Sequence, residues 1–127
     1  RSNEYASSIM DGISNSNSIV VYGNVINDGL IENLPSSCCV EVPCIIDSKG
    51  FHPQKVGKIP EHLAALMRTN INVQILTAEA ALTKKREHIY HAAMLDPLTS
   101  SNLSIDEIYK MTDELIKAHG NYLPNYN

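Results

Sequence analysis

Residues 39–56 read CVEVPCIIDSKGFHPQKV, and the alternation in them sets the fold. Val40, Val42, Cys44 and Ile46 fall on one face of an extended segment, with Glu41 and Pro43 on the other. A period of two predicts a strand over residues 39–47. Pro43 has no N–H to donate to a ladder, so the strand is expected at a sheet edge or to carry a bulge there. Ser48, Lys49 and Gly50 supply a turn, and residues 51–56 return as the hairpin partner. On the N-terminal side, residues 18–25 (SIVVYGNV) are rich in β-branched and aromatic side chains and read as a second strand. Asn24, Asn27, Asp28 and Gly29 then break regular structure. Before that strand, Ile9, Met10 and Ile13 have helical spacing, which predicts a short helix over residues 5–13 ending near Asp11-Gly12.

On the C-terminal side the pattern is helical. Pro60 suits a first helical position, and a helix is expected from there to about Thr83. Leu63, Leu66 and Met67 mark one face of it, and Ile71, Ile75, Ala78 and Leu82 another, so it is expected to pack on two sides. Arg68, Asn70 and Asn72 interrupt it, either to fix a loop or neighbouring chain or to face a cleft. A further helix over residues 84–95 should stop at Asp96-Pro97, because the residue before proline leaves the helical region. Ser104 and Glu107 have capping-box spacing and open a last helix, with Ile105, Ile108, Tyr109, Met111 and Leu115 as its buried stripe and an end near Gly120. Strands first and helices afterwards make an α+β arrangement: a short antiparallel sheet with a hairpin, packed against C-terminal helices.

A length of 127 residues suits one domain, residues 1–127, with one core. The 43% hydrophobic and 19% charged composition excludes disorder as the main state. Ten Lys and Arg against 14 Asp and Glu leave a net charge of −4, and the densest basic cluster, Lys84-Lys85-Arg86, is followed at once by Glu87. No nucleic-acid partner is expected from such a surface. Apolar runs as short as residues 19–22 imply no membrane span, and Arg1 to Tyr5 lack the apolar stretch of a secretory signal. A start on Arg is read as a piece of something longer. Cys38, Cys39 and Cys44 are odd in number and two are adjacent, which fits reduced thiols and a cytoplasmic location better than a disulfide framework.

Self-contained chemistry is hard to find. The glycines stand at positions 12, 23, 29, 50, 57 and 120, with no G-x-G pair to cradle a phosphate and no G-x-S-x-G elbow. Asp106-Glu107 and Asp113-Glu114 are ordinary charge on a solvated helix. Cys44 could be a nucleophile with His52 or His88 as base, although a half-buried strand thiol is more often inert. His88 and His91 share a helical face, but a metal needs three or four ligands and no spacing supplies them.

Two stretches carry a resemblance. Residues 23–35 (GNVINDGLIENLP) resemble the N-V-x-N-x-G-x-I-x-N-L-P segment of family 4 glycosidases, and residues 39–44 with Asp47 and Gly50 resemble that family's V-E-V-P-C hairpin. Leu63-Ala64-Ala65-Leu66, residues 70–74, Glu79-Ala80, Asp96-Pro97, Asp106-Glu107-Ile108 and Ala118-His119 continue the likeness along its C-terminal helices. It covers essentially the whole chain and is most similar to the α-galactosidase branch, with the α-glucosidase and α-glucuronidase branches as alternatives. The implied fold is the C-terminal domain of lactate dehydrogenase-like and family 4 proteins.

The resemblance implies a hydrolase that dispenses with the usual carboxylate pair. In such enzymes NAD+ takes hydride from sugar C3, a tyrosine removes the acidified C2 proton beside a divalent metal, usually Mn2+, the aglycone leaves, water adds and the hydride returns. The Gly-rich NAD-binding Rossmann domain, the metal-binding cysteine and histidine and the tyrosine base belong to family segments upstream of this chain. No catalytic, cofactor-binding or metal residue is therefore assigned here, and the isolated chain is expected to bind neither NAD nor Mn2+ and to be inactive. Arg1, with Glu4 and Tyr5, matches an R-S-x-E-Y stretch near the family's sugar pocket, where a guanidinium could hydrogen-bond sugar hydroxyls. Asn24 and Asn27 could line that pocket, or could form turns through Asx bonds. The implied partners are a glycoside substrate and further copies of the chain in a homo-oligomer. A non-catalytic subunit-assembly module is the alternative from another class. If a larger protein covers this piece, bare apolar surface, self-association and dye binding should follow.

Overall fold

A computed structural model describes residues 4–15 and 17–127. Along the chain come helix α1 (Ala6–Asn15), strands β1 (Ile19–Ile26), β2 (Cys39–Asp47) and β3 (Gly50–Pro53), and helices α2 (Glu61–Thr83), α3 (Glu87–Leu95), α4 (Pro97–Asn102) and α5 (Ile105–His119). A 3-10 turn, Gly120–Tyr122, follows. The α+β class is as expected. The described residues gather into two compact units, divided between residues 64 and 65.

In the first unit the sheet is antiparallel in the order β1-β2-β3. Val21 pairs with Cys44 and Gly23 with Val42, so Val21, Val40, Val42, Cys44 and Ile46 lie on one face, all buried. Each fully buried aliphatic side chain there contributes about 1.5–3 kcal/mol. α1 lies on that face: a Cβ on Gly12 would stand 3.1 Å from the Asn17 carbonyl oxygen and 3.4 Å from that of Ile46. The helix therefore runs through Gly12 to Asn15, beyond the end expected at Asp11-Gly12. Glycine is kept for close approach, and the Asp11 carboxylate accepts from Asn15 Nδ2 at 2.6 Å one turn on.

Pro43 needs a correction, because β2 is the central strand. β3 pairs only from Cys44 to Asp47, which leaves the 39–43 half of β2 with β1 as its one neighbour. Pro43 stands at that boundary. Its carbonyl accepts from Gln54 N at 2.8 Å, so its missing N–H would point to the same side, where β3 has just ended. The hairpin turn is as read, with Asp47 paired to Gly50 and Lys49 N donating to Asp47 Oδ1 at 2.7 Å, but the returning strand stops at Pro53.

The opposite sheet face carries Val20, Tyr22 and Ile26, each at least 60% exposed. In the second unit Ile71, Ala80, Ala92, Ile108 and Thr112 are the buried positions. Most of the expected α5 stripe is less covered than periodicity suggests: Ile105, Tyr109 and Leu115 are exposed and Met111 half-buried. On α2, Leu63, Leu66, Met67 and Leu82 are likewise exposed. Arg68, Asn70 and Asn72 are exposed too. Lys84 has φ 59°, a left-handed conformation that ends α2 and delays α3 to Glu87. Asp96 is extended as expected, and its side chain also caps α4 by accepting from Thr99 N at 2.8 Å. The capping box of α5 forms, with Ser104 N donating to Glu107 Oε2 at 2.8 Å. Among the described residues no helix is long and apolar enough to cross a membrane.

Candidate functional site

Arg1 lies outside the described residues. Asn24 and Asn27 both stand at the C-terminal end of β1, but in opposite surroundings. Asn24 faces out of the sheet opposite Glu41 and is exposed. Asn27 is fully buried in the turn that follows.

The Asn27 amide organises that turn. Its Nδ2 donates to the carbonyls of Ile31, Pro35 and Leu34 at 2.9, 3.0 and 3.2 Å, and its Oδ1 accepts from Ile31 N at 2.7 Å. Both amide hydrogens are thus committed, and turn formation accounts for what this side chain does in the structure. Asp28 and Gly29, at φ 36° and 82°, let the chain reverse, and Asn27 N donates to Cys38 O at 2.8 Å where it rejoins β2.

The loop is also tied to the segment after the hairpin. Leu30 O accepts from Val56 N and Gly57 N at 2.9 and 3.0 Å, and Glu32 N donates to Gly57 O at 3.0 Å. Asn33 bonds Ile59 both ways, Nδ2 to the carbonyl at 2.8 Å and Oδ1 from the amide at 3.1 Å. Lys55 Nζ sits 2.8 Å from Glu32 Oε1 and holds that carboxyl below its ordinary range. Asn33 reaches across 26 residues, so no local signal could have marked it. The result is a braced platform at the end of β1 that presents Asn24 beside it.

The thiol–imidazole pairing does not form. Cys44 is fully buried, with Sγ donating to Val42 O at 3.2 Å. His52 pairs with Ile45 across the hairpin, which puts its ring on the other sheet face, 3.2 Å from Asp47 Oδ1. Asp47 is held below the usual carboxylate range, chiefly by the Lys49 N–H.

In the second unit His88 and His91 meet edge to face at 6.3 Å, and His88 Nδ1 is buried with no hydrogen-bond partner among the described residues. Among those residues no three His, Cys, Asp or Glu side chains come together as a metal would need. The most connected polar cluster is one that spacing missed. Arg86 Nη2 donates to Asp113 Oδ1 at 2.6 Å, Arg86 Nε donates to the Tyr90 hydroxyl at 2.8 Å, and that hydroxyl donates to Asp113 Oδ1. Arg86 and Tyr90 are one helical turn apart, a visible signal, but Asp113 is 27 residues away from Arg86. Donation to Asp113 raises the Tyr90 pKa, so this phenol keeps its proton more firmly than a free one. Its ring stacks on Tyr109 at 4.6 Å between centroids.

Neither NAD nor a catalytic metal fits the donor set of the described residues: the sequence has no G-x-G pair, two of the three thiols are buried, and among the described residues no third ligand joins His88 and His91.

Comparison with known proteins supplies the setting. The chain is 52% identical over 126 residues to an α-galactosidase of Bacillus subtilis (strain 168), covering 99% of this chain and 29% of that protein. It is 32% identical over 126 residues to an α-galactosidase of Rhizobium meliloti (strain 1021), covering 26% of it. The chain thus spans less than a third of the curated relatives it matches. A crystal structure of a 6-phospho-α-glucosidase from gut microorganisms, in complex with NAD and Mn2+, superposes with a TM-score of 0.84 over 96% of this chain and 27% of that one, at 19% identity. That likeness establishes the fold alone. Residues 1–99 match the family 4 glycosyl hydrolase C-terminal domain, and the chain belongs to that family.

Proposed function

We propose that this chain is the C-terminal supporting portion of an NAD- and Mn2+-dependent α-galactosidase. The observation that carries the reading is the 52% identity, along 99% of this chain, with the Bacillus subtilis α-galactosidase. The full-length parent is proposed to be a glycoside hydrolase that cleaves α-galactosides by the C3 oxidation, elimination and addition route, in the cytoplasm. NAD would supply the hydride acceptor and Mn2+ the Lewis acid. Both would be held by the rest of the parent. Within that protein residues 1–127 act as one domain that shapes the sugar site and contacts other subunits. Asn24, exposed beside the braced loop, and Arg1 are proposed to reach the sugar, with Asn27 fixing the loop from beneath. The isolated chain is proposed to be inactive.

The test is hydrolysis of aryl α-galactoside and α-glucoside by the full-length parent, stripped of cofactor and then assayed with and without NAD+ and Mn2+. Turnover of the galactoside only when both are restored supports the reading. Turnover that ignores NAD+ overturns the mechanism. Preference for the glucoside or an α-glucuronide moves the substrate within the family.

A subunit-assembly role is the second reading, favoured by Val20, Tyr22 and Ile26 standing bare on one sheet face. Light scattering at high concentration tests it on the isolated chain, and a strict monomer would sink it.

A further inference from the structure

The second unit contains a cavity of about 340 Å3 walled by α2, α3 and α5, with Ala80, Ala92, Met111 and Ile116 among its lining. That size lies at the lower end of small-molecule pockets. The cavity is open on one side, and the segment after α5 adds to its wall through Leu123 and Tyr126.

That segment is attached at two ends. At one, Gly120 has φ 49°, a left-handed conformation that reverses the chain out of α5, and Leu123 N donates to Gly120 O at 3.2 Å. At the other, Asn127 grips the link between α2 and α3 twice: its N–H donates to Lys84 O at 2.8 Å and its carbonyl accepts from Arg86 N at 2.9 Å. From Leu123 to Tyr126, among the described residues, the backbone makes no hydrogen bond to α2, α3 or α5. Tyr126 and Leu123 are half-buried, and Lys84 Nζ stands 5.9 Å from the centre of the Tyr126 ring. The Lys84 backbone is itself left-handed, which turns its carbonyl toward the grip. Few bonds, both at an exposed edge, hold a segment whose side chains line an apolar cavity.

We propose that residues 120–127 are a strap, hinged at Gly120 and latched at Asn127, which walls one side of this cavity and lifts without unfolding the helices beneath. Arg86 N–H and Asn127 N–H are bonded across the same latch, so they open together. Lifting widens the mouth of this apolar pocket for small apolar molecules.

The test is native-state hydrogen exchange on the full 127-residue chain. The amides of Arg86 and Asn127 are expected to exchange at matching protection, each on the order of tenfold or more above the Asn125 amide. Both should remain well below the protection of the Thr112 amide, at a buried position of α5. Protection equal to that of Thr112 would overturn the proposal, because the segment would then open only with the whole unit. Protection no greater than at Asn125, or unequal at the two latch amides, would overturn it as well. The double variant Leu123→Ala/Tyr126→Ala gives an independent readout with 8-anilinonaphthalene-1-sulfonate as the probe. Fluorescence several-fold above the unsubstituted chain, with the far-ultraviolet helical signal kept, is expected. Unchanged dye binding, or loss of that helical signal, would count against a strap.

Discussion

Removing the Asn27 amide tests whether the loop after β1 is built on that side chain. In Asn27→Ala, four hydrogen bonds disappear, but their losses are unequal. The Ile31 carbonyl still accepts from Leu34 N at 3.3 Å and the Pro35 carbonyl from Cys38 N at 3.2 Å. Ile31 N–H and the Leu34 carbonyl have no other partner among the described residues, and both residues are buried. An orphaned buried group costs about 1–3 kcal/mol, so two cost roughly 2–6 kcal/mol before any loss of packing. Against a total stability of about 5–15 kcal/mol, that is a severe lesion. Asn24→Ala, on the exposed face nearby, should stay within about 0.5 kcal/mol. The assay is urea unfolding followed by NMR at Val42 and Ile46, so that the transition reports the first unit alone. Exchange of the Ile31 amide is read alongside. An Asn27→Ala chain within about 1 kcal/mol of the Asn24→Ala chain would refute the reasoning. Asn27→Asp sharpens it, since shape and the acceptor for Ile31 N are kept while both donors are lost among carbonyls. Burial beside those carbonyls raises the folded pKa of the new carboxyl. Its contribution is therefore intact below the ordinary aspartate pKa of about 3.9 and lost as pH rises through the folded value. This variant should be most stable in acid relative to the parent chain.

Three further outcomes follow from named contacts. A thiol reagent in excess should label Cys39 alone in the folded chain and all three cysteines in denaturant, since Cys38 and Cys44 are buried; fast labelling of Cys44 would contradict its place in the core. The Glu107 carboxyl is held below its ordinary range by the Ser104 hydroxyl first and the Ser104 N–H second. The capping box therefore stabilises α5 above the ordinary glutamate pKa of about 4.3 and fades as pH falls through the lowered folded value. In a carbon-13 titration Ser104→Ala should raise that midpoint, and the lost cap should cost about 1 kcal/mol on melting. Gly12→Leu should destabilise the first unit by about 1–3 kcal/mol in urea, because the new Cβ would stand 3.1 Å from the Asn17 carbonyl oxygen; an unchanged midpoint would mean α1 does not press on the sheet.

What the sequence discloses tracks the range of the interaction. The strands were legible because one face of β2 alternates with the other, and α5 because Ser104 and Glu107 answer each other over three residues. Asp96-Pro97 was legible as a stop, yet the same two residues open α4, with Asp96 as cap and Pro97 in the first turn. The α5 stripe was misjudged at Ile105, Tyr109 and Leu115, because periodicity marks which residues are apolar and not which of them another element covers. The central position of β2 was hidden by Pro43, whose tolerance depends on where β3 stops. Asn27 had two readings in sequence, and the bonds that support the turn reading reach carbonyls seven and eight residues further on.

The segment that carries the family resemblance, residues 24–35, is occupied almost throughout by structural work. Asn27 fills the turn with its amide, Gly29 takes φ 82°, Ile31 gives its N–H to that amide, and Asn33 clamps Ile59. Leu34 is buried, and Pro35 offers its carbonyl. A sequence signature made of such residues identifies a way of bracing the end of a strand. Asn24 is the asparagine of the segment that the structure leaves facing solvent on the sheet. This is why family membership could be read from the chain while the sugar could not: the residues that specify the loop are spent on the loop. Exchanging Asn24 in the full-length parent should then alter KM for the glycoside with little change in melting, whereas exchanging Asn27 should lower stability first. A parent in which Asn27→Ala melts normally and only KM moves would reverse these assignments.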